Sequence, residues 1–238
     1  NDIVNFNNNS ALELMINSIF FNIFVLLALL APAATALRNE PKRDAFFWGA
    51  VCLASVSSTL FALSRIFEFW QVDFTTAVRA SVAAIMIVFA IASALNEFCW
   101  RLSPIICIYM CLLTILAVLL NNSPPYPLNI PLNAWIISHI SLSLLTYALV
   151  TLASVSALAA TLQERALKTK RRLFLTSLLP SLVDADALTK YYLLFGQIIL
   201  GFGLITGATI NWLNDKTFLN FDHKTIFTLS AFLTIGIL

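Results

Sequence analysis

Long apolar runs separated by short polar stretches make up nearly the whole chain. They cover about 12–37, 46–65, 78–96, 102–120, 133–162, 191–213 and 225–238. None shows the two-residue alternation of a barrel strand, and a helix needs ~20 mostly apolar residues to cross a bilayer. The pattern therefore predicts an all-α protein. It would be a polytopic transmembrane helical bundle of about seven spans, forming one integral membrane domain over 1–238. The last run is still apolar at Leu238, and the first residue is Asn1 rather than Met. That reads as a chain trimmed at both ends, with an incomplete seventh helix. The first run reads as a retained helix, not a cleaved signal peptide. No basic stretch precedes it, it is too long, and Arg38, Lys42 and Arg43 follow it.

Composition then removes whole classes of function. Apolar residues make up 60% of the 238 and charged residues 11%, against ~25% charged in soluble domains. Too few polar side chains remain to cover a water-soluble domain of this size. A soluble enzyme and a disordered chain are excluded. The net charge of +2 offers no broad basic face for nucleic acid. The surrounding partner is the lipid bilayer.

Lysine and arginine in short loops favour the cytoplasm. One alternate set of connections holds Arg38, Lys42, Arg43, Arg101, Arg165, Lys168, Lys170, Arg171, Arg172 and Lys190. The other holds Arg65, Arg79, Lys216 and Lys224. The first set should be cytosolic. The N-terminus, the loop 121–131 and the segment 211–224 should then face outward. Four prolines, at 124, 125, 127 and 131, make 121–131 a stiff, non-helical loop. The longest non-apolar stretch, 163–190, reads as a cytosolic basic loop around Lys168-Thr-Lys-Arg-Arg172. Its plain role is a stop signal with a surface helix. The alternative is a docking patch for a cytosolic partner or anionic lipid.

Cys52 falls in the second run, Cys107 and Cys111 share a face of the fourth, and Cys99 lies near its cytoplasmic end. None is in an outer loop, so no structural disulfide is expected. Packing is the reading for Cys107 and Cys111, with a thiol pair as the alternative. There is no CxxC motif, phosphate-binding glycine loop, zinc spacing, or nucleophile with a base. An enzyme is therefore not expected. Trp48, Trp70, Trp100, Trp135 and Trp212 sit near run ends, as an interfacial belt would. Arg65, Glu68 and Asp73, with Trp70, read as an ionic cluster at the outer boundary. Gly196, Gly201, Gly203 and Gly207 of the sixth run read as close helix contacts, the last two at GxxxG spacing.

The chain has two histidines. His139 opens the fifth run, and its face continues through Ser143, Thr146, Tyr147 and Val150. His223 precedes the seventh run. Both fall on the predicted outer side. A neutral imidazole is a good haem-iron ligand, although a histidine at a helix end more often bonds a neighbour or water. Asp222 or Lys224 could orient a neighbouring ring.

These residues carry a resemblance. Trp135-x-x-x-His139-Ile-Ser-x-Ser143-x-Leu-x-Tyr147-Ala-Leu, then Gln163-Glu-Arg165, Leu178-Leu-Pro-Ser-Leu182, the glycine-bearing helix through Gly207, and Phe221-Asp-His-Lys-Thr225 resemble the cytochrome c assembly protein family. The likeness covers roughly 46–238 and is closest to the YpjD/HemX-type branch of this CcsA/CcmC/HemX-like group. It implies a cytochrome c biogenesis protein of the bacterial inner membrane that binds or moves haem at the outer face. Its partners would be other maturation proteins and apocytochrome c. His139 would be the first ligand of the haem iron and His223 the second, with Trp135 and Tyr147 lining the haem between the fifth and seventh helices. The family's tryptophan-rich segment is missing here, leaving Trp212 and Asp222-x-Lys224 in its place. A haem-free scaffold or regulator acting through a cytosolic partner is the rival reading. A small-molecule permease fits less well, because the spans hold almost no charge.

Overall fold

The structure is a computed structural model that describes residues 2–38, 42–66, 73–120, 133–170, 174–215 and 223–237. Its helices are α1 (Asp2–Ala36), α2 (Ala45–Ile66), α3 (Phe74–Leu95), α4 (Ser103–Leu119), α5 (Ala134–Thr169), α6 (Phe174–Leu178), α7 (Leu182–Asp215) and α8 (His223–Ile237), with a 3₁₀ turn at Cys99–Leu102. Six are long and apolar enough to cross a membrane, and α8 contributes a shorter apolar helix, Thr225–Ile237. No strand occurs among the described residues. The protein is a polytopic helical bundle.

One device starts four of these helices. Asp44 Oδ1 accepts the Phe47 N–H at 3.0 Å, and Asp73 Oδ1 accepts that of Thr76 at 3.0 Å. Asn133 Oδ1 accepts the Ile136 N–H at 2.9 Å, and Ser181 Oγ accepts that of Asp184 at 3.3 Å. Each side chain satisfies an N–H that the first turn leaves without an intrahelical partner. Within the helices, hydroxyls bond back to their own preceding turn, as Ser57 does to Ala54, Thr114 to Met110 and Ser156 to Leu152. That is how these polar side chains sit in apolar surroundings. Phe20, Leu27, Leu60 and Ile205 are each more than half exposed. Exposed side chains of that kind suit lipid rather than water.

The chain forms two units. The first comprises residues 1–83 with 107–127, and the second 84–106 with 128–238. In the first, α1 and α2 pack together, with the Phe21 and Phe61 rings 6.1 Å apart. Cys111 Sγ meets the Leu26 carbonyl at 3.7 Å. All four cysteines are free, Cys52 exposed and the other three buried.

Arg79 corrects the sequence reading. We expected it in a connection, with almost no charge inside the spans. The helix instead begins at Phe74, four residues before the expected start, and Arg79 is only 6% exposed. Its guanidinium lies over the Phe61 ring, 4.1 Å from the centroid. The aromatic face and the buried stem make a charged residue tolerable there.

Helix also covers much of what reads as the 163–190 loop. α5 continues to Thr169 and α7 begins at Leu182. At 36 residues, α5 is about 54 Å long, well over the ~30 Å of a hydrocarbon core. The pairs Glu164–Lys168 and Asp186–Lys190, each one turn apart, let both helices run on where the apolar pattern stops. α5 ends at Lys170, whose left-handed φ of 51° closes the last turn through an N–H bond to the Leu167 carbonyl. The expected loop 121–131, the cluster Arg65–Glu68–Trp70, and Arg171, Arg172 and Lys216 lie outside the described side chains.

Candidate functional site

The second unit is organised by the pairing of α5 with α7. The two helices run antiparallel. A Cβ on Gly196 would meet Val150 Cγ2 at 3.5 Å, and one on Gly207 would meet His139 Cε1 at 3.2 Å. At the far end, Gln163 Nε2 donates to the carbonyls of Thr176 at 2.8 Å and Pro180 at 2.9 Å. This amide ties α5 to the α6–α7 connection, and its signal in the sequence is the Leu-Leu-Pro-Ser-Leu182 stretch that turns the chain back.

α8 packs on α7 in the opposite sense again. A Cβ on Gly201 would meet Phe232 Cε2 at 3.5 Å, and one on Gly236 would meet Gln197 Nε2 at 3.1 Å. On α7, the α5-facing residues Gly196 and Gly207 and the α8-facing residues Gln197 and Gly201 lie on stripes about 120° apart. α5 and α8 thus flank α7 with an angle between them. Followed along α7, this register brings the level of Gly207 to about Ile226, roughly one turn from His223.

His139 is half-buried on α5. Its Nδ1 lies 3.2 Å from the Gly203 carbonyl oxygen and 3.2 Å from Thr206 Oγ1. The Thr206 hydroxyl itself donates to the Gly203 carbonyl at 2.9 Å. Trp135 and Tyr147 are 47% and 43% exposed. With Ser143 they follow one another at four-residue steps through His139, forming one stripe of α5. His223 is the first residue of α8. Its side chain, like those of Asp222 and Lys224, lies outside the described set. Sequence reading missed Thr206 altogether. It also gave Gly203 and Gly207 a single packing role, whereas one presents a carbonyl to the imidazole and the other makes room for it. Only the helix register could have revealed this.

A groove of about 580 Å³ between α5 and α7 lies at the other end of the pair, lined by Ala157, Ala160, Thr161, Glu164, Val183 and Asp186 among others. Its carboxylates are already paired with Lys168 and Lys190, and His139 lies at the opposite end of the pair. The histidine end is the better candidate. Among the described residues no three His, Cys, Asp or Glu side chains group to hold a metal ion.

A sequence profile described as "Cytochrome C assembly protein" matches residues 45–238. The chain belongs to the cytochrome c assembly protein family. It is a membrane protein of cytochrome c biogenesis, a family generally without enzymatic chemistry of its own. The family match starts at Ala45, the first residue of α2, so α1 stands outside it. A protein of Azospirillum brasilense named "Uncharacterized 28.8 kDa protein in nifR3-like 5'region" is 35% identical over 229 residues, covering 93% of this chain and 84% of that one. No solved structure matches. Within the family match lie His139, Trp135, Tyr147 and His223.

Proposed function

We propose that this cytochrome c assembly protein binds haem at the His139 end of the α5–α7–α8 unit and handles it there for cytochrome c maturation. One observation supports the reading above the others: His139 Nδ1 lies against the Gly203 carbonyl, which can only accept, with the Thr206 hydroxyl beside it. Nδ1 then carries the proton and the Nε2 lone pair is left for a metal. The donor set fits haem better than a bare ion. No three-ligand cluster occurs among the described residues, and haem brings its own four equatorial nitrogens and asks the protein only for axial donors.

His139 would be the first ligand of the haem iron. His223, opening α8 within about a turn of the same level, would be the second. Trp135 and Tyr147, on the same stripe of α5, would cover the porphyrin. Bound haem supplies the iron centre; the chain's part is to hold and orient it. We place this end outside, because Arg165, Lys168 and Lys170 crowd the opposite end of α5. That gives an inner-membrane protein with an outward N-terminus, in the YpjD/HemX-type branch on its Asp222-His-Lys-Thr225 element. Apocytochrome c and other maturation proteins would be its partners.

The test is the visible spectrum of protein purified with haem supplied. A haem spectrum lost in His139→Gly is the expected result. Binding and spectrum unchanged in that variant would overturn the ligand assignment. A colourless wild-type protein, with a maturation defect from changing Lys168–Arg172 alone, would favour the haem-free scaffold instead.

A further inference from the structure

The haem reading uses the Gly203 carbonyl and Thr206 only as neighbours of Nδ1; with Gly207 they form a cradle around the whole His139 ring. The Gly203 carbonyl can only accept. The Thr206 hydroxyl lies 2.9 Å from that same carbonyl; with its proton directed there, its oxygen meets the imidazole as a second acceptor. Both stand 3.2 Å from Nδ1. The carbonyl cannot donate, so a neutral ring that bonds to it carries its proton on Nδ1. Free imidazole side chains have no such constraint. Gly207 completes the cradle by omission. A Cβ there would lie 3.2 Å from Cε1 and 3.6 Å from Nδ1, which the ring could meet only by moving. Gly203 differs, since a Cβ there would find nothing within 4 Å. The two glycines of the GxxxG spacing therefore do separate jobs.

We propose that Thr206, the Gly203 carbonyl and the bare Cα of Gly207 are positioning groups that lock His139 as the Nδ1–H tautomer and present Nε2 as its open nitrogen. This rests on the haem reading for its purpose, but the tautomer is a property of the ligand-free chain. A hydrogen bond at one ring nitrogen sets both the orientation and the basicity of the other. The Nδ1 and Cε1 edge is pressed against α7, and Nε2, the next atom round the ring, is off that edge.

The experiment is ring ¹⁵N NMR of protein labelled at histidine, in detergent, without haem and at alkaline pH. The chain has two histidines, so the spectrum of His139→Gly identifies the His139 signals by difference. We expect a protonated Nδ1 and a bare Nε2 in the wild type and in Gly203→Ala. Thr206→Val and Gly207→Ala should loosen the lock, so that an Nε2–H fraction appears beside the Nδ1–H form, and Thr206→Ser should restore the wild-type signals. If Gly207→Ala does not fold, the nearly isosteric Thr206→Val carries the test alone. With haem present, Thr206→Val should weaken binding on the order of 10-fold, as loss of a ligand-orienting partner does, with recovery in Thr206→Ser. A wild-type His139 protonated at Nε2, or a Thr206→Val ring unchanged from wild type, overturns the proposal even if haem binds. A locked Nδ1–H ring in a protein that binds no haem leaves the cradle intact and removes only the haem reading.

Discussion

His139 and Gly203 are separated by 64 residues, yet Nδ1 of the one lies 3.2 Å from the carbonyl oxygen of the other. The bond joins the first turns of α5 to the later half of α7, and it exists because those helices run antiparallel. A carbonyl inside a helix already accepts an N–H from the next turn and offers only its second lone pair. Here Gly203 lacks a side chain to shield it, and the ring can approach.

The α5–α7 pairing makes Gly196 a size-limited position. A Cβ there would stand 3.5 Å from Val150 Cγ2 and 3.7 Å from Leu149 Cβ. Those are ordinary contacts, so Gly196→Ala should be close to neutral. Gly196→Leu would have to displace both neighbours and should cost about 1–3 kcal/mol. Unfolding by SDS titration in mixed micelles measures the difference, and equal stability of the two variants would contradict the packing.

Gln163 holds the far end through donation alone. Its amide faces carbonyl oxygens of Thr176 and Pro180, which a carboxylate cannot serve. Gln163→Glu should therefore be as damaging as Gln163→Met, each costing about 1–3 kcal/mol by leaving acceptors unmatched. Hydrogen exchange of the α6 amides should quicken in both. Wild-type exchange in Gln163→Glu would show that the amide is dispensable.

Arg79 and Phe61 should be energetically coupled. The ring is fully buried and the guanidinium sits 4.1 Å above its centroid. A cycle combining Phe61→Leu with Arg79→Met should give a coupling of about 1–2 kcal/mol, the range for a desolvated cation on an aromatic face. Strict additivity of the two changes would dismiss the stacking.

Asp44 gives α2 an acid-sensitive start. The Phe47 N–H, and after it the Arg38 guanidinium at 2.8 Å, hold its carboxyl below the usual carboxylate range. Because the folded value is the lower one, the stabilisation is complete above the ordinary carboxylate value and is lost as pH falls through the depressed one. Stability measured against pH should fall more steeply on the acid side in wild type than in Asp44→Asn, whose amide oxygen still caps the helix but does not titrate. Parallel curves would mean that the cap is electrostatically silent.

Hydropathy made the helices legible and the helix ends much less so. All seven apolar runs have a helix over them, because a chain in lipid must satisfy its backbone internally. The ends depend on side chains that hydropathy does not weigh. α5 outlasts its apolar run because Glu164 and Lys168 pair along it. α3 starts early because Asp73 caps it, and that extra turn draws Arg79 inside.

For the candidate site the division is sharper. Residue types and chain position alone marked His139 and His223 as the histidines worth watching, with Trp135 and Tyr147 on the stripe of the first. Which nitrogen of His139 is held, and by what, was written nowhere along the chain. A periodicity reports which face of a helix is apolar, but not which turn of a distant helix lies opposite. That is settled only when α5 and α7 lock at the register that small residues permit, bringing Gly203, Thr206 and Gly207 against the imidazole.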